Sequence, residues 1–144
     1  MTKIFSEVYD VLEAYKTAAY EKDVENFLSL YAPGIHIYDC WGNWESKGIS
    51  SWETTVSEWF NGLREESVLL EVTFNEVVIE KTSTLAFVHC AVTFTGYQEE
   101  SGEQLHQTTN RFTYGLKKVK NSWSIAHEHS SLPIDFETGK GISD

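Results

Sequence analysis

The chain is poor in cysteine, proline and positive charge, and each shortage excludes a class of protein. Its 144 residues include two cysteines, two prolines and 11 lysines and arginines, against 22 aspartates and glutamates. We therefore expect Cys40 and Cys90 to be free thiols in a reducing cytosol rather than a disulfide. The net charge of −11 argues against nucleic acid and anionic membranes as partners, because both are bound through basic patches.

Long apolar runs, internal repeats and low-complexity tracts are also missing. No run is long enough to span a bilayer, and the first residues, Met1-Thr-Lys-Ile-Phe-Ser-Glu7, do not follow the signal-peptide pattern. The sequence has neither a Gly-rich phosphate loop nor a nucleophile elbow. We predict one cytoplasmic domain over residues 1–144, with a flexible tail at 136–144 and no nucleic-acid or membrane partner.

Apolar residues at helical spacing predict three helices in the first half of the chain. The first covers residues 6–21, and the second follows at once with Asp23 as its cap. A short strand and a tryptophan-edged hairpin come next. The third helix opens near Gly48, where Ser50 and Glu53 fit a capping box.

The apolar period changes to that of strands in the second half of the chain. Four long strands are predicted over residues 68–80, 85–95, 105–117 and from 123 onward. A bulge is predicted at Asn75-Glu76 in the first of them. Helices followed by long antiparallel strands predict an α+β fold, with the helices packed on one face of a curved sheet.

The last strand, residues 123–133, carries the most potential chemistry. Successive strand side chains point to opposite faces. One face is therefore predicted to carry Trp123, Ile125, His127, His129 and Ser131. A strand that begins apolar and then presents two histidines and a hydroxyl is typical of a strand that runs from a core into a polar pocket.

Five features of the chain together follow a known pattern. They are Phe27-Leu28-Ser-Leu-Tyr31, Ile35-His-Ile-Tyr-Asp39, the helix start at Gly48, Arg111-Phe-Thr113 and Trp123-Ser-Ile-Ala-His-Glu-His129-Ser. With this element order, nearly the whole chain resembles the nuclear transport factor 2-like superfamily in its SnoaL-like branch, which is related to polyketide cyclases and ketosteroid isomerases. The resemblance implies a cone, in which a bent sheet wraps around N-terminal helices and encloses a pocket. Members are isomerases, cyclases, dehydratases, epoxide hydrolases and non-catalytic binding or assembly domains, so fold is implied more specifically than function.

Asp39, Arg111 and His129 are the predicted catalytic residues. Asp39 resembles the region from which ketosteroid isomerase-like relatives draw their general base, although it could instead only orient His129 or Arg111. Arg111, if buried, needs a compensating charge, and Asp39 and Glu128 are the candidate partners. It is then either an anion or carbonyl clamp or one half of a structural ion pair. His129 is predicted to line the pocket and to shuttle protons.

An aromatic lining is predicted around these residues. The predicted ligand-binding residues are Tyr38, Trp41, Trp44, Trp52, Trp59, Phe60, Tyr114 and His127. The aromatic stripe on the third helix also fits ordinary core packing. We predict binding of a small apolar or aromatic molecule with one polar group, with cofactor-independent acid–base catalysis of the isomerase, cyclase or dehydratase type as its enzymatic form. No metal is assigned, because the two histidines lack a third ligand at fixed spacing.

A homodimer through the sheet is predicted from the strand over 85–95. Both faces of this strand are apolar, whereas a sheet with one wet face alternates apolar and polar residues. A second copy could cover the free face, to which Val92 is assigned, and such dimers are usual in the resembled superfamily. In one alternative, the chain's own tail covers the sheet through Leu132, Ile134 and Phe136. For the function of the domain, the alternative to a ligand pocket is a non-catalytic dimerisation or association module.

Overall fold

The structure is a computed structural model that describes residues 3–143. Its elements, in chain order, are α1 Val8–Glu21, α2 Val24–Leu28, β1 Tyr31–Tyr38, β2 Ser46–Lys47, α3 Ile49–Glu65, β3 Val68–Lys81, β4 Leu85–Gln98, β5 Gln104–Val119 and β6 Ser122–Ser131. Helices therefore precede four long strands, and the predicted α+β fold is confirmed. Among these residues, no helix has the length and apolar character needed to cross a membrane.

The helix starts follow the predicted capping chemistry in α2 but not in α3. Asp23 caps α2, where its Oδ1 accepts the Asn26 N–H at 3.0 Å. The capping box predicted for Ser50 and Glu53 is wrong, because α3 already begins after Gly48 and Ser50 lies within its first turn. Gly48 has a φ of 84°, which glycine adopts without strain, so the chain can enter the helix at this earlier point.

A six-stranded sheet, in the order β2-β1-β6-β5-β4-β3, frames the described part of the chain. All neighbouring strands are antiparallel except β1 and β6, which run parallel. β6 thus lies between β1 and β5 and brings the two ends of the fold side by side. The predicted bulge in β3 is confirmed by a register shift between Asn75 and Val78, where Glu76 has a φ of 52°.

The two faces of the sheet differ in what covers them. The inner face packs against the apolar sides of the helices, and on β4 it consists of Ala86, Val88, Cys90 and Val92. The outer face is open, and on β4 it consists of Leu85, Phe87, His89 and Ala91. The assignment of Val92 to the face open to a partner is therefore wrong, because Val92 is fully buried in the core.

A bulge in β6 resets the side-chain alternation of the last strand. β5 pairs with the residues on both sides of Ala126 and leaves Ala126 without a partner. Before the bulge, Trp123 and Ile125 are buried on the inner face, and after it Glu128 and Ser130 take that place. The prediction that one face carries residues 123, 125, 127, 129 and 131 is therefore wrong from residue 127 onward.

The segment after β6 turns back on itself. Ile134 bridges to Gly141, and the Ser143 hydroxyl accepts the Thr109 N–H at 3.2 Å. Ile134 and Phe136 are exposed, which contradicts the alternative in which the tail covers the sheet with these side chains. Flexibility of residues 136–144 stays a prediction, and residue 144 lies outside the described residues.

Candidate active site in the cone cavity

A cavity of about 390 Å³ lies between α3 and the inner face of the sheet. The helical period places Trp52, Thr55 and Trp59 of α3 on the side that faces it. Alternate residues of β5 and β6 form the opposite wall, because only every second strand side chain points inward. The wall residues on which its chemistry depends are Asp39, Trp52, Trp59, Asn110, Phe112 and Glu128.

Glu128 is a buried carboxyl group at the sheet wall, with 4% of its surface exposed. The Tyr31 hydroxyl donates a hydrogen bond to Glu128 Oε1 at 2.6 Å. Burial raises the pKa of Glu128 to about 8, and the nearby charge of Asp39 acts in the same direction, while the bond from Tyr31 opposes it. Glu128 is therefore mainly a neutral carboxylic acid at pH 7 and can donate a proton into the cavity.

Asp39 follows β1 and is a half-buried carboxyl group in the cavity wall. Its Oδ1 accepts the Ser130 hydroxyl at 3.2 Å and the Trp41 N–H at 3.4 Å. Burial raises the pKa of Asp39, and these hydrogen bonds partly offset that effect. The cavity therefore holds two carboxyl groups in different environments, the fully buried Glu128 and the half-buried Asp39, which accepts hydrogen bonds from Ser130 and Trp41.

Aromatic rings cover much of the remaining wall. Trp59 of α3 meets Phe94 of β4 edge to face, with ring centroids 6.2 Å apart, and Phe94 lies 6.0 Å from Phe112. Trp52 packs edge to face on Tyr31 at 5.8 Å, which places it at the end of the cavity where the carboxyl groups lie. A flat apolar molecule would contact ring surfaces on several sides.

Several predicted site residues do meet in this cavity. Asp39, Trp41, Trp52 and Trp59 line it. Phe60 and Tyr114 are fully buried but belong to the core behind the lining, where Phe60 packs on Phe27 at 5.4 Å. The core-packing interpretation of the aromatic stripe therefore holds for Phe60, and the ligand interpretation fits its neighbours on the cavity side.

The predicted histidines lie on the outer face instead. The bulge in β6 turns His127 and His129 away from the cavity, and Tyr38 packs between them with ring centroids 5.3 Å from each. His127 Nδ1 contacts the carbonyl oxygen of His36. The assignment of Tyr38, His127 and His129 to the pocket is therefore wrong, because the strand position that they would occupy belongs to Glu128.

Arg111 and Trp44 are also outside the cavity. Arg111 is exposed on the outer face, and its Nε donates to the Ser131 hydroxyl at 3.2 Å. Its charge is solvated, so it needs neither Asp39 nor Glu128 as a partner, and the predicted clamp is wrong. Trp44, at the tip of the hairpin, is 87% exposed.

The residue that the sequence analysis missed as a site residue is Glu128. Its signal was present, because a glutamate interrupts the strand between two histidines, but regular alternation assigned it to the opposite face. Asn110, which is 2% exposed in the cavity wall, was also missed. Its only trace in the sequence is an amide two residues before Phe112, where the strand changes from mainly polar residues to an alternation of aromatic and polar ones.

Comparison with known proteins agrees with this architecture. The model of the SnoaL-like domain family matches residues 8–135. Among curated proteins there is no match. Three solved structures share the fold at low identity, and their names do not establish a function for this chain.

A nuclear transport factor 2-like protein of unknown function from Pseudomonas putida is 22% identical, with a TM-score of 0.83 over 96% of this chain and 93% of that chain. A protein proposed to be a calcium/calmodulin-dependent protein kinase II association domain, from Xanthomonas campestris, is 18% identical, with a TM-score of 0.71 over 86% and 84%. A nuclear transport factor 2-like superfamily protein from Salmonella enterica is 17% identical, with a TM-score of 0.67 over 92% and 93%. Because the family model spans most of the chain, this protein belongs to the SnoaL-like domain family.

Proposed function

We propose that the protein binds a small, mainly aromatic or apolar molecule with a polar oxygen in the cone cavity, and that Asp39 and Glu128 carry out acid–base chemistry on it. The observation that carries the proposal is a carboxylic acid kept neutral by burial in the wall of an aromatic cavity that also holds Asp39. A neutral acid and a carboxylate base in one apolar site are suited to moving a proton on a carbonyl compound.

The proposed reaction is proton transfer next to a carbonyl group. Glu128, whose Oε1 is held by Tyr31, donates a hydrogen bond from its other oxygen to the carbonyl oxygen of the ligand. Asp39 takes the proton from the adjacent carbon, and the electron pair of the broken C–H bond moves to the carbonyl oxygen as an enolate. Return of the proton to a different carbon gives isomerisation, and loss of a neighbouring leaving group gives elimination.

The test uses 4-acetylbiphenyl, an aromatic ketone with exchangeable methyl protons. In D₂O, the wild-type protein should accelerate exchange of these protons, and Asp39→Asn should reduce the rate about 100-fold or more. His129→Ala, on the outer face, is the matched control and should behave as wild type. Exchange is followed by proton NMR, and binding by the fluorescence of the cavity tryptophans.

The outcomes separate binding from catalysis. If the ketone binds but Asp39→Asn exchanges as fast as wild type, the acid–base role is wrong and the binding role stands. If neither this ketone nor a panel of other aryl ketones quenches tryptophan fluorescence or raises the melting temperature, the cavity is not a ligand site.

We also propose a homodimer, in which the outer face of the sheet packs against a second copy. Leu85 and Phe87 are 56% and 46% exposed there, next to an apolar depression of about 570 Å³ at Gly115, which has no side chain. The outer faces of β4, β5 and β6 carry no acidic side chain among the described residues, although the chain has a net charge of −11 and Glu80 of β3 lines the edge of the depression. Two strongly acidic molecules can approach most closely through such a surface.

The dimer is tested with Phe87→Glu, which places a carboxylate on the apolar part of this face. We expect wild type to sediment at twice the chain mass at micromolar concentration, and Phe87→Glu to sediment at 16.5 kDa with an unchanged circular dichroism spectrum. Tyr9→Glu, which alters an exposed aromatic residue of α1, is the control and should stay dimeric. A wild-type protein that sediments as a monomer overturns the proposal.

The same surface favours a second function, that of an association module. The structural neighbour from Xanthomonas campestris is proposed to be such a domain. In that case the outer face would remain necessary and the cavity would not. Asp39→Asn and Glu128→Gln would then leave every measurable property except stability unchanged.

A further inference from the structure

Asn110 lies in the wall of the cavity and carries a buried polar atom without a hydrogen-bond partner in the described part of the chain. Its side chain is 2% exposed, and its Oδ1 has no hydrogen-bond partner among residues 3–143. Buried side-chain oxygens in folded proteins nearly always have a partner, and leaving one without a partner reduces stability. An acceptor without a partner in the wall of a cavity indicates that a molecule other than this chain donates a hydrogen bond to it.

Asn110 lies far from Glu128 along the sheet. Glu128 is paired with Tyr114 of β5, and Asn110 precedes Tyr114 by four residues on the same strand, on the same inner face. Four residues of extended strand span about 13 Å. The cavity therefore has one polar end at Glu128 and a second polar position at Asn110.

On β4 and β5, the wall between these two polar positions is apolar, while Asp39 lies at the level of Phe112 because its hydrogen-bond partner Ser130 pairs with Phe112. Phe112 lies between Asn110 and Tyr114 on the inner face of β5, and Phe94 packs against it at 6.0 Å. At the carboxyl end, Trp52 packs on Tyr31, and the Nε1 of Trp52 and the hydroxyl of Tyr114 are also buried without a partner in the described chain. The donors at that end are therefore the indole N–H of Trp52, the Tyr114 hydroxyl and the acid proton of Glu128.

We propose that the ligand is elongated, with a carbonyl or similar acceptor at the Glu128 end, an aromatic or apolar body, and a hydrogen-bond donor such as a hydroxyl group at the Asn110 end. Asn110 is then the residue that selects hydroxylated ligands over otherwise identical ones. This inference rests on the proposed function, because it names the class of molecule that the same cavity takes.

The test compares three linear ketones with the wild type and with Asn110→Leu. The probes are 4-acetylbiphenyl, 4-acetyl-4′-hydroxybiphenyl and 4-acetyl-4′-methoxybiphenyl, of which only the second can donate at the far end. Leucine has the same branched skeleton of four heavy atoms as asparagine but has no polar side-chain atom. Dissociation constants are measured by tryptophan fluorescence and checked by calorimetry, and the melting temperature of each free protein is recorded.

We expect the hydroxylated ketone to bind wild type about tenfold more tightly than the other two, and to lose this advantage in Asn110→Leu. The melting temperature of the free variant should equal or exceed that of wild type, because the substitution removes an unsatisfied buried atom. A variant that binds all three ketones as wild type does overturns the role of Asn110 but leaves the proposed function intact.

Two further outcomes also contradict the inference. If the methoxy ketone binds as tightly as the hydroxylated one and loses the same affinity in Asn110→Leu, Asn110 contacts the ligand through its amide NH₂, and the donor assignment is wrong. If none of the three ketones binds wild type, this inference fails together with the proposed function.

Discussion

Between pH 4.5 and pH 8, wild type is expected to lose roughly 5 kcal/mol of folding free energy that Glu128→Gln does not lose. In the unfolded chain Glu128 ionises near pH 4.5, whereas burial holds its pKa at about 8 in the folded protein. Below pH 4.5 both states are protonated and the stabilisation is fully present. As the pH rises toward 8, only the unfolded state ionises, so the folded state loses its advantage, and above pH 8 this group adds no further change.

The measurement is urea unfolding at several pH values and a fixed protein concentration, so that any dimer contributes equally. Glu71→Gln, at an exposed position of β3, is the matched control and should follow the wild-type profile. Parallel profiles for wild type and Glu128→Gln would mean that Glu128 is ionised in the folded protein at neutral pH. The neutral-acid mechanism would then be wrong.

Val92→Glu is expected to reduce stability by more than about 3 kcal/mol and to leave the chain largely unfolded at room temperature. Val92 is fully buried in the core between the helices and the sheet, so a carboxyl group there would have neither water nor a cation beside it. Far-ultraviolet circular dichroism and thermal melting measure the effect. Phe87→Glu, on the same strand, is the control and should remain folded.

This pair of variants also tests which face of β4 is covered by the helices. If Val92→Glu stays folded with an unchanged melting temperature while Phe87→Glu unfolds, the assignment of inner and outer faces is reversed. The dimer surface would then have to be sought around Val92, where the sequence analysis first placed it.

The fold could be predicted from the sequence because its signals are local and repeated. Helical spacing in the first half, strand patterning in the second, the cap at Asp23 and the bulge near Glu76 all correspond to observed features. Each depends on the chemistry of a few neighbouring residues. The helix start near Gly48 is confirmed, but its cap was mistaken because a capping-box pattern and a glycine with positive φ compete for the same few positions.

The cavity chemistry could not be predicted in the same way, because it depends on a strand bulge at Ala126, and nothing in the sequence around Ala126 indicates a bulge. Ala126 has an ordinary side chain, yet the bulge there decides whether Glu128 or His129 faces inward. Whether a strand bulges depends on its pairing with β5, which the sequence of β6 alone does not contain. Asp39, in contrast, was located correctly, because its position after a short strand does not depend on a distant register.

The parallel pairing of β1 and β6 also determines when the cavity can come into existence during synthesis. β6 is the last strand of the sheet to leave the ribosome, and it joins β1 and β2 to β3, β4 and β5. Until it emerges, the nascent chain has two partial sheets with unpaired edges. Tyr31 is then also without its hydrogen-bond partner, because Glu128 is synthesised 97 residues later. Formation of the Tyr31–Glu128 hydrogen bond and closure of the sheet are therefore one late, long-range event, typical of slowly folding chains of high contact order.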